Sequence, residues 1–159
     1  MARREPAEEP DRTEEEQERL NRQMTELLNE LRVAMPGVQV LFAFLLTVPF
    51  QQRFDMVDGF QRDVYFVALL AAATATALLI APSAYHRIAF GQHEKPRIIV
   101  VGTVQFVCGL VALAIAMNAS ILLVTDVLFS ATTAVVTVVV TGSLFASLWF
   151  GVGVWRRFR

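Results

Sequence analysis

Four long apolar runs occupy most of the chain after residue 37, and they constrain its fold more than any other feature. An apolar stretch of about 20 residues with few charges is typical of a helix that crosses a bilayer. Four such runs in 159 residues leave little room for a soluble domain. We therefore predict an all-α fold: an integral membrane four-helix bundle with an N-terminal cytosolic amphipathic helix.

The composition agrees with a membrane protein. Hydrophobic residues make up 55% of the chain and charged residues 18%, which is apolar for a soluble domain. The chain lacks a basic nucleic-acid-binding surface, so we expect no nucleic acid partner. Cys108 is the only cysteine and lies in an apolar run, so it cannot form an internal disulfide or a cysteine cluster for a metal. We expect no cofactor.

The charged N-terminal part divides in two. Residues 1–12 are polar and proline-containing, which favours a disordered tail. Residues 13–35 are predicted to form the amphipathic helix, because Thr13 and Glu16 have the spacing of a capping box. Its apolar positions recur every three or four residues, and we expect this stripe to pack on the membrane or on the protein's own helices: Leu20, Met24, Leu27, Leu31 and Ala34.

The membrane segments are predicted at residues 36–54, 63–82, 98–117 and 124–155. Pro36-Gly37 predicts a bend before the first segment. That segment has the shortest apolar stretch of the four, so a buried or re-entrant helix remains an alternative to a full crossing. Residues 118–120 are expected to form a short turn before the fourth segment. Small residues repeat every seven positions along the third segment and could admit a close neighbouring helix: Gly102, Gly109 and Ala116.

Orientation follows from the lysines and arginines. They concentrate in the N-terminal flank, in residues 83–97 and at the C-terminus, whereas residues 51–63 contain only Arg53 and Arg62 beside three aspartates. Because lysine and arginine accumulate on the cytoplasmic side of short loops, we predict that both termini and residues 83–97 are cytoplasmic. Residues 51–63 and 118–120 then face outward.

Asp126 is the only acidic residue inside the fourth apolar run. An intramembrane acid is a functional hypothesis by default, and here it would carry protons or cations. Asp126 lies only six residues after Ser120, however, and a carboxylate near the interface is also suited to capping the fourth helix. Capping of the fourth helix or a position at the interface is the interpretation that we favour.

Other polar positions have two readings each. Gln39 and Gln105 could line a polar path. Alternatively, the amides of Gln39, Gln51, Gln52 and Gln105 could join helices by hydrogen bonds, which we favour, or lie at the membrane interface. The run Tyr85-His86-Arg87 could shuttle protons or bind anionic lipid, or it could be a topology-setting cluster with an aromatic anchor. His86 and His93, with no cysteine nearby, make a poor zinc ligand set.

Three stretches together resemble a family of small actinobacterial four-helix membrane proteins of unknown function. They are Glu26 to Leu46, which contains Met35-Pro36-Gly37; Phe50-Gln51-Gln52-Arg53-Phe54; and Ala81-Pro82-Ser83-Ala84-Tyr85-His86-Arg87. The resemblance implies a multi-pass protein of the bacterial inner membrane with no established activity. Some similar proteins carry a proton-antiporter label, but this chain lacks the paired intramembrane acids that an antiporter would use.

These features favour a structural, interaction or accessory membrane subunit. We expect membrane lipids as partners, together with a second copy of the chain or a membrane partner protein. The alternative is a small oligomeric transporter or proton-coupled permease, which would need a path shared between copies. We expect no enzyme, since the chain shows neither a nucleophile–base constellation nor a phosphate-binding glycine loop.

Overall fold

The computed structural model describes residues 9–52, 54–88 and 95–151. Its helices are α1 (Glu9–Thr47), α2 (Gly59–Ile88), α3 (Lys95–Leu128) and α4 (Ala131–Phe145), and α4 continues as a π-helix over Ala146–Gly151. Two short 3-10 helices, Val48–Phe50 and Phe54–Met56, lie between α1 and α2. Four segments are long and apolar enough to cross a membrane: Glu18–Phe50, Gly59–Ala84, Ile99–Leu128 and Ala131–Trp149.

A single 39-residue helix replaces the predicted amphipathic helix and the start of the first membrane segment. Residues 9–12 of the predicted disordered tail are helical, while residues 1–8 lie outside the described part. Proline is tolerated in the first helical turn, where its missing N–H would have no helical partner anyway, so Pro10 does not prevent this start. The helix also runs past Pro36 without a break. Pro36 and Arg32, whose carbonyl loses its usual partner, are both exposed, so the surroundings can supply a replacement hydrogen bond.

The apolar stripe of α1 packs against α2 and α3, which confirms one of the two expectations for it. Leu27, Leu31 and Val38 are buried with apolar side chains of both other helices. Nearer the end of α1, Leu45 is buried against a second cluster that includes Tyr65 and Ala116. α1, α2 and α3 therefore form one packed unit along most of the length of α1.

Small residues let α3 approach its neighbours closely, as their spacing predicts. A Cβ atom built on Gly109 would lie 2.9 Å from Cγ of Leu79, and one built on Gly102 would lie 2.9 Å from Cδ2 of Leu27. Ala116, seven residues further on, is fully buried. The three positions thus form the contact face of α3, where larger side chains would separate the helices.

The fourth helix differs from the predicted four-helix bundle. Within the described residues, α4 contacts α3 and neither α1 nor α2. Ala134 is its only buried residue, and four of its valines are more than half exposed: Val135, Val136, Val139 and Val140. Three helices therefore pack around one another, and α4 is attached to one side.

The predicted turn at residues 118–120 is wrong. α3 continues through it to Leu128, and residues 129–130 connect α3 to α4. The polar residues that suggested a turn are satisfied inside the helix, because the Ser120 hydroxyl donates to the Ala116 carbonyl at 2.7 Å and Asn118 pairs with α4. The fourth helix consequently starts at Ala131 rather than at residue 124. α2 likewise extends beyond its predicted limits at both ends and passes Pro82.

Candidate functional site

The end of the molecule that carries the α1–α2 connection and residues 129–130, here called the hairpin end, contains a polar network. Asp126 lies in the last turn of α3, and its Oδ2 accepts a hydrogen bond from Nε2 of Gln61 at 2.9 Å. Both side chains are half-buried. The predicted role of Asp126 as the cap of the fourth helix is wrong, because Ser130 is the N-cap and its hydroxyl accepts from the Thr133 N–H.

Asp58 holds Gln61 in position through a reciprocal capping box. The Asp58 carboxylate accepts from the Gln61 backbone N–H at 2.8 Å, and the Gln61 side-chain oxygen accepts from the Asp58 backbone N–H at 3.2 Å. This pairing caps the first turn of α2. It also fixes the Gln61 amide so that its NH₂ group is directed at Asp126. The network therefore ties the start of α2 to the end of α3.

Helix dipoles act on Asp126 in opposite directions. A carboxylate in the last turn of α3 faces the negative end of that helix, which is unfavourable. Its hydrogen-bond partner Gln61, however, belongs to the first turn of α2, where the dipole favours negative charge. The favourable dipole of α2 thus offsets the unfavourable dipole of α3 at Asp126. One carboxylate and one amide supply too few oxygen ligands to hold Ca²⁺ or Mg²⁺ by themselves.

A second contact at the hairpin end gives a hydrogen bond to a carbonyl of α1 that lacks its helical partner. The Tyr65 hydroxyl donates a buried hydrogen bond to the Leu45 carbonyl at 2.9 Å. The helical partner of that carbonyl would be the amide four residues later, which belongs to Pro49 and has no N–H. The ring of Phe54 packs edge-on against Tyr65 at a centroid distance of 5.3 Å. Tyr65 therefore fixes the end of α1 against α2.

A third polar contact joins α3 to α4. The Thr141 hydroxyl donates to Oδ1 of Asn118 at 2.6 Å. A Cβ on Gly142 would lie 2.6 Å from Nδ2 of Asn118, so a larger residue there would force this amide to shift. This contact sets the position of α4 along α3.

The other sequence-predicted residues are not brought into these contacts. Gln39 on α1 and the residues Gln51 and Gln52 after it are exposed, and Gln105 on α3 is half-buried. Within the described residues, no hydrogen bond from these side chains joins two helices, so the structure does not display the interhelical contact that we favoured. Tyr85, His86 and Arg87 lie in the last turn of α2, but their side chains, like Arg53, fall outside the description.

Four residues that carry the observed contacts are not predicted from the sequence: Asp58, Gln61, Tyr65 and Asn118. Two signals were available. Asp58-Gly59-Phe60-Gln61 has the spacing of a capping box in front of an apolar run. Pro49 inside the first apolar run implies a carbonyl in need of a hydroxyl or amide donor. No local pattern identifies Tyr65 as that donor, because the two residues come from different helices.

Comparison with known proteins gives a family match. A model described as a family of unknown function, DUF6328, matches residues 13–153. No curated protein and no solved structure matches the chain.

Proposed function

We propose that this chain, which belongs to the DUF6328 family of unknown function, is a multi-pass protein of the bacterial inner membrane that acts as a structural or accessory subunit. In this proposal it works by binding membrane lipids and a second copy or another membrane protein. It is not an enzyme. The observation that carries the proposal is that polar side chains form hydrogen bonds between neighbouring helices.

The polar contacts support a structural role because each one replaces or completes a backbone or helix-end hydrogen bond, or joins two helices. Gln61 and Asp126 link α2 to α3, Tyr65 links α2 to α1, and Thr141 links α4 to α3. Across the described residues, the buried side chains are apolar except for the Tyr65 hydroxyl, which is hydrogen-bonded to the Leu45 carbonyl. Side chains arranged in this way stabilise the packing of helices in a membrane, where such bonds contribute ~0.6–2 kcal/mol each.

A single position of the membrane fits all three packed helices. A hydrocarbon core of ~30 Å is crossed by about 20 helical residues. Counted from the hairpin end, at Phe50, Gln61 and Asp126, the opposite boundary falls at Glu30 on α1, Ala81 on α2 and Phe106 on α3. Glu30 and Phe106 line the same groove, so the boundaries counted along α1 and α3 lie at the same level. In this placement the first membrane segment is long enough to cross the hydrocarbon core completely.

The fourth helix fits the same slab. About 20 residues from Ser130 lead to the level of Trp149, and an aromatic ring is favoured at the membrane interface. The exposed apolar side chains of α4, such as Val136 and Val140, would face lipid or a partner in the membrane. With the hairpin end outside, both termini and residues 83–97 are cytoplasmic, in accord with the lysine and arginine distribution.

Purification from native membranes in a mild detergent, followed by native mass spectrometry, tests the binding role. We expect a defined homo-oligomer or a stoichiometric complex with a membrane protein. A particle that contains one copy of the chain and no protein partner, at the concentration found in the membrane, would contradict an assembly role.

The alternative is proton-coupled transport, and the half-buried position of Asp126 is the observation that favours it. Purified protein in liposomes with a pH-sensitive dye provides the test. We expect no sodium–proton exchange. Exchange that Asp126→Asn abolishes, while an exposed control such as Asp55→Asn retains it, would establish the transporter instead.

A further inference from the structure

We propose that the last eight residues of the chain, 152–159, bind in a groove between α1 and α3, with their arginines next to Glu26 and Glu30. This inference goes beyond the proposed function, because it assigns an intramolecular binding site to a segment that the described helices do not include. It rests on the shape of the groove, the position of α4 and the charge of both partners.

The groove has a volume of about 480 Å³ and is open to the surface, and its wall is almost wholly apolar. It is lined by Asn29, Glu30, Val33 and Ala34 of α1 and by Phe106 of α3. Val33 is 82% exposed although it is a large apolar side chain. Glu26, four residues before Glu30, is exposed on the same side of α1. The groove is therefore an apolar surface with carboxylates along its edge.

The end of α4 lies at the level of this groove. The contact between Asn118 and Thr141 fixes the antiparallel register of α3 and α4. Gly151 follows Thr141 by ten positions, so it is level with Cys108, which precedes Asn118 by ten positions and follows Phe106 by two. The description of α4 ends at Gly151. The remaining segment consequently begins beside the groove.

The groove also opens towards α4. Gly109 of α3 faces Leu78 and Leu79 of α2, whereas Asn118 faces α4. These two positions are nine residues apart, which is about 900° or two and a half turns, so α2 and α4 lie on opposite sides of α3. Phe106, twelve residues before Asn118, lies about 120° around α3 from the face that carries α4. No described residue of α2 lines the groove, so the groove lies on the flank of α3 between α1 and α4.

The segment has the length and chemistry to fill the groove. Its sequence, Val-Gly-Val-Trp-Arg-Arg-Phe-Arg, combines two aromatic rings with three arginines. Eight extended residues reach ~26 Å, while neighbouring helix axes lie ~8–10 Å apart. Trp155 can cover the apolar wall, and Arg156 or Arg157 can pair with Glu30, because guanidinium groups bind carboxylates through two parallel hydrogen bonds.

Charge complementarity favours the C-terminal segment over a lipid as the occupant of the groove. An anionic head group would be repelled by Glu26 and Glu30, and an acyl chain alone would leave both carboxylates unpaired at the membrane boundary. The C-terminal segment supplies apolar rings and cations together. A second copy of the chain could bring the same segment from another molecule, and the experiment distinguishes that case.

Disulfide formation tests the proposal in the full-length protein in its membrane. Val33→Cys is combined with Trp155→Cys on a Cys108→Ser background, and mild oxidation is followed by non-reducing electrophoresis and intact mass measurement. We expect an intramolecular disulfide. The matched control pairs Trp155→Cys with Arg32→Cys, which lies next to Val33 in the sequence but is rotated by about 100° to the face away from the groove.

Two results would overturn the proposal: no more cross-linking for the Val33 pair than for the Arg32 pair, or disulfides only between chains, which would identify a second copy as the occupant. Charge reversal examines the pairing. Glu26→Lys with Glu30→Lys should lower the intramolecular yield about three-fold or more, and adding Arg156→Glu with Arg157→Glu should restore it. An unchanged yield after charge reversal would show that the carboxylates do not hold the segment.

Discussion

Single polar residues decide how the helices are joined at the hairpin end. Pro49 removes the N–H that would pair with the Leu45 carbonyl, and the Tyr65 hydroxyl takes its place from another helix. A buried carbonyl without a partner is costly, while a satisfied one is close to neutral. The pair Pro49 and Tyr65 should therefore be energetically coupled although the side chains come from different helices.

A double-mutant cycle measures this coupling. Tyr65→Phe should lower the free energy of unfolding in detergent by ~1–2 kcal/mol, because it leaves the Leu45 carbonyl unpaired. In a Pro49→Ala background the restored N–H can bond that carbonyl, so the same change should cost clearly less. Equal costs in both backgrounds would mean that the Tyr65 hydroxyl does not compensate for Pro49.

Asp126 acts as a hydrogen-bond acceptor for Gln61, and this predicts an order among its variants. Asp126→Asn keeps a side-chain oxygen for the Gln61 amide and should unfold at nearly the wild-type temperature. Asp126→Leu removes the acceptor, leaves Nε2 of Gln61 unpaired and should cost ~1 kcal/mol. Thermal unfolding in detergent measures both, and equal losses for the two variants would show that the charge of Asp126 rather than its hydrogen bond matters here.

At the scale of helices, close packing of α2 on α3 depends on the absence of a side chain at position 109. Gly109→Ala places a Cβ 2.9 Å from Cγ of the fully buried Leu79, so Leu79 must move, and we expect a loss of ~1–3 kcal/mol. Gly37→Ala is the matched control. Its Cβ meets no atom within 4 Å, and alanine favours a helix, so this variant should be neutral or more stable by up to ~1 kcal/mol. Thermal unfolding of both purified variants would refute the packing argument if the two behaved alike.

The amphipathic part of α1 is predicted to be needed for folding through its buried side. Leu27→Asp with Leu31→Asp buries two carboxylates against α2 and α3 and should prevent recovery of a monodisperse protein in size-exclusion chromatography. Thr25→Asp with Arg32→Asp adds the same number of carboxylates to exposed positions of the same helix and should be tolerated. If both double variants elute like wild type, the packing of α1 on its neighbours is not required.

For the whole molecule, the proposed orientation in the membrane can be tested by labelling. On a Cys108→Ser background, Asp58→Cys at the hairpin end should react with a membrane-impermeant maleimide added outside intact cells. Glu18→Cys on α1 should react only after the membrane is opened, since the distribution of lysines and arginines predicts a cytoplasmic position for that end. The reverse labelling pattern would invert the proposed topology.

Much of this protein follows from local sequence pattern. The length of the apolar runs predicts four membrane-capable helices, the spacing of Leu27 and Leu31 predicts a buried stripe, and the spacing of Gly102 and Gly109 predicts close helix contact. These predictions succeed because the period of a helix, the length of a membrane span and the size of a side chain are properties of the chain itself.

Tertiary contacts decided the rest. Residues 118–120 have the composition of a turn, yet Asn118 stays in α3 because Thr141 of another helix pairs with its side chain. Asp126 looks like the cap of a fourth helix in the sequence, but the continuation of α3 moves it to a helix end, where Gln61, 65 residues earlier, supplies its partner. The attachment of α4 to α3 alone is equally invisible in the sequence. A polar residue in a membrane helix must find a hydrogen-bond partner, and only the packed structure determines which helix provides it.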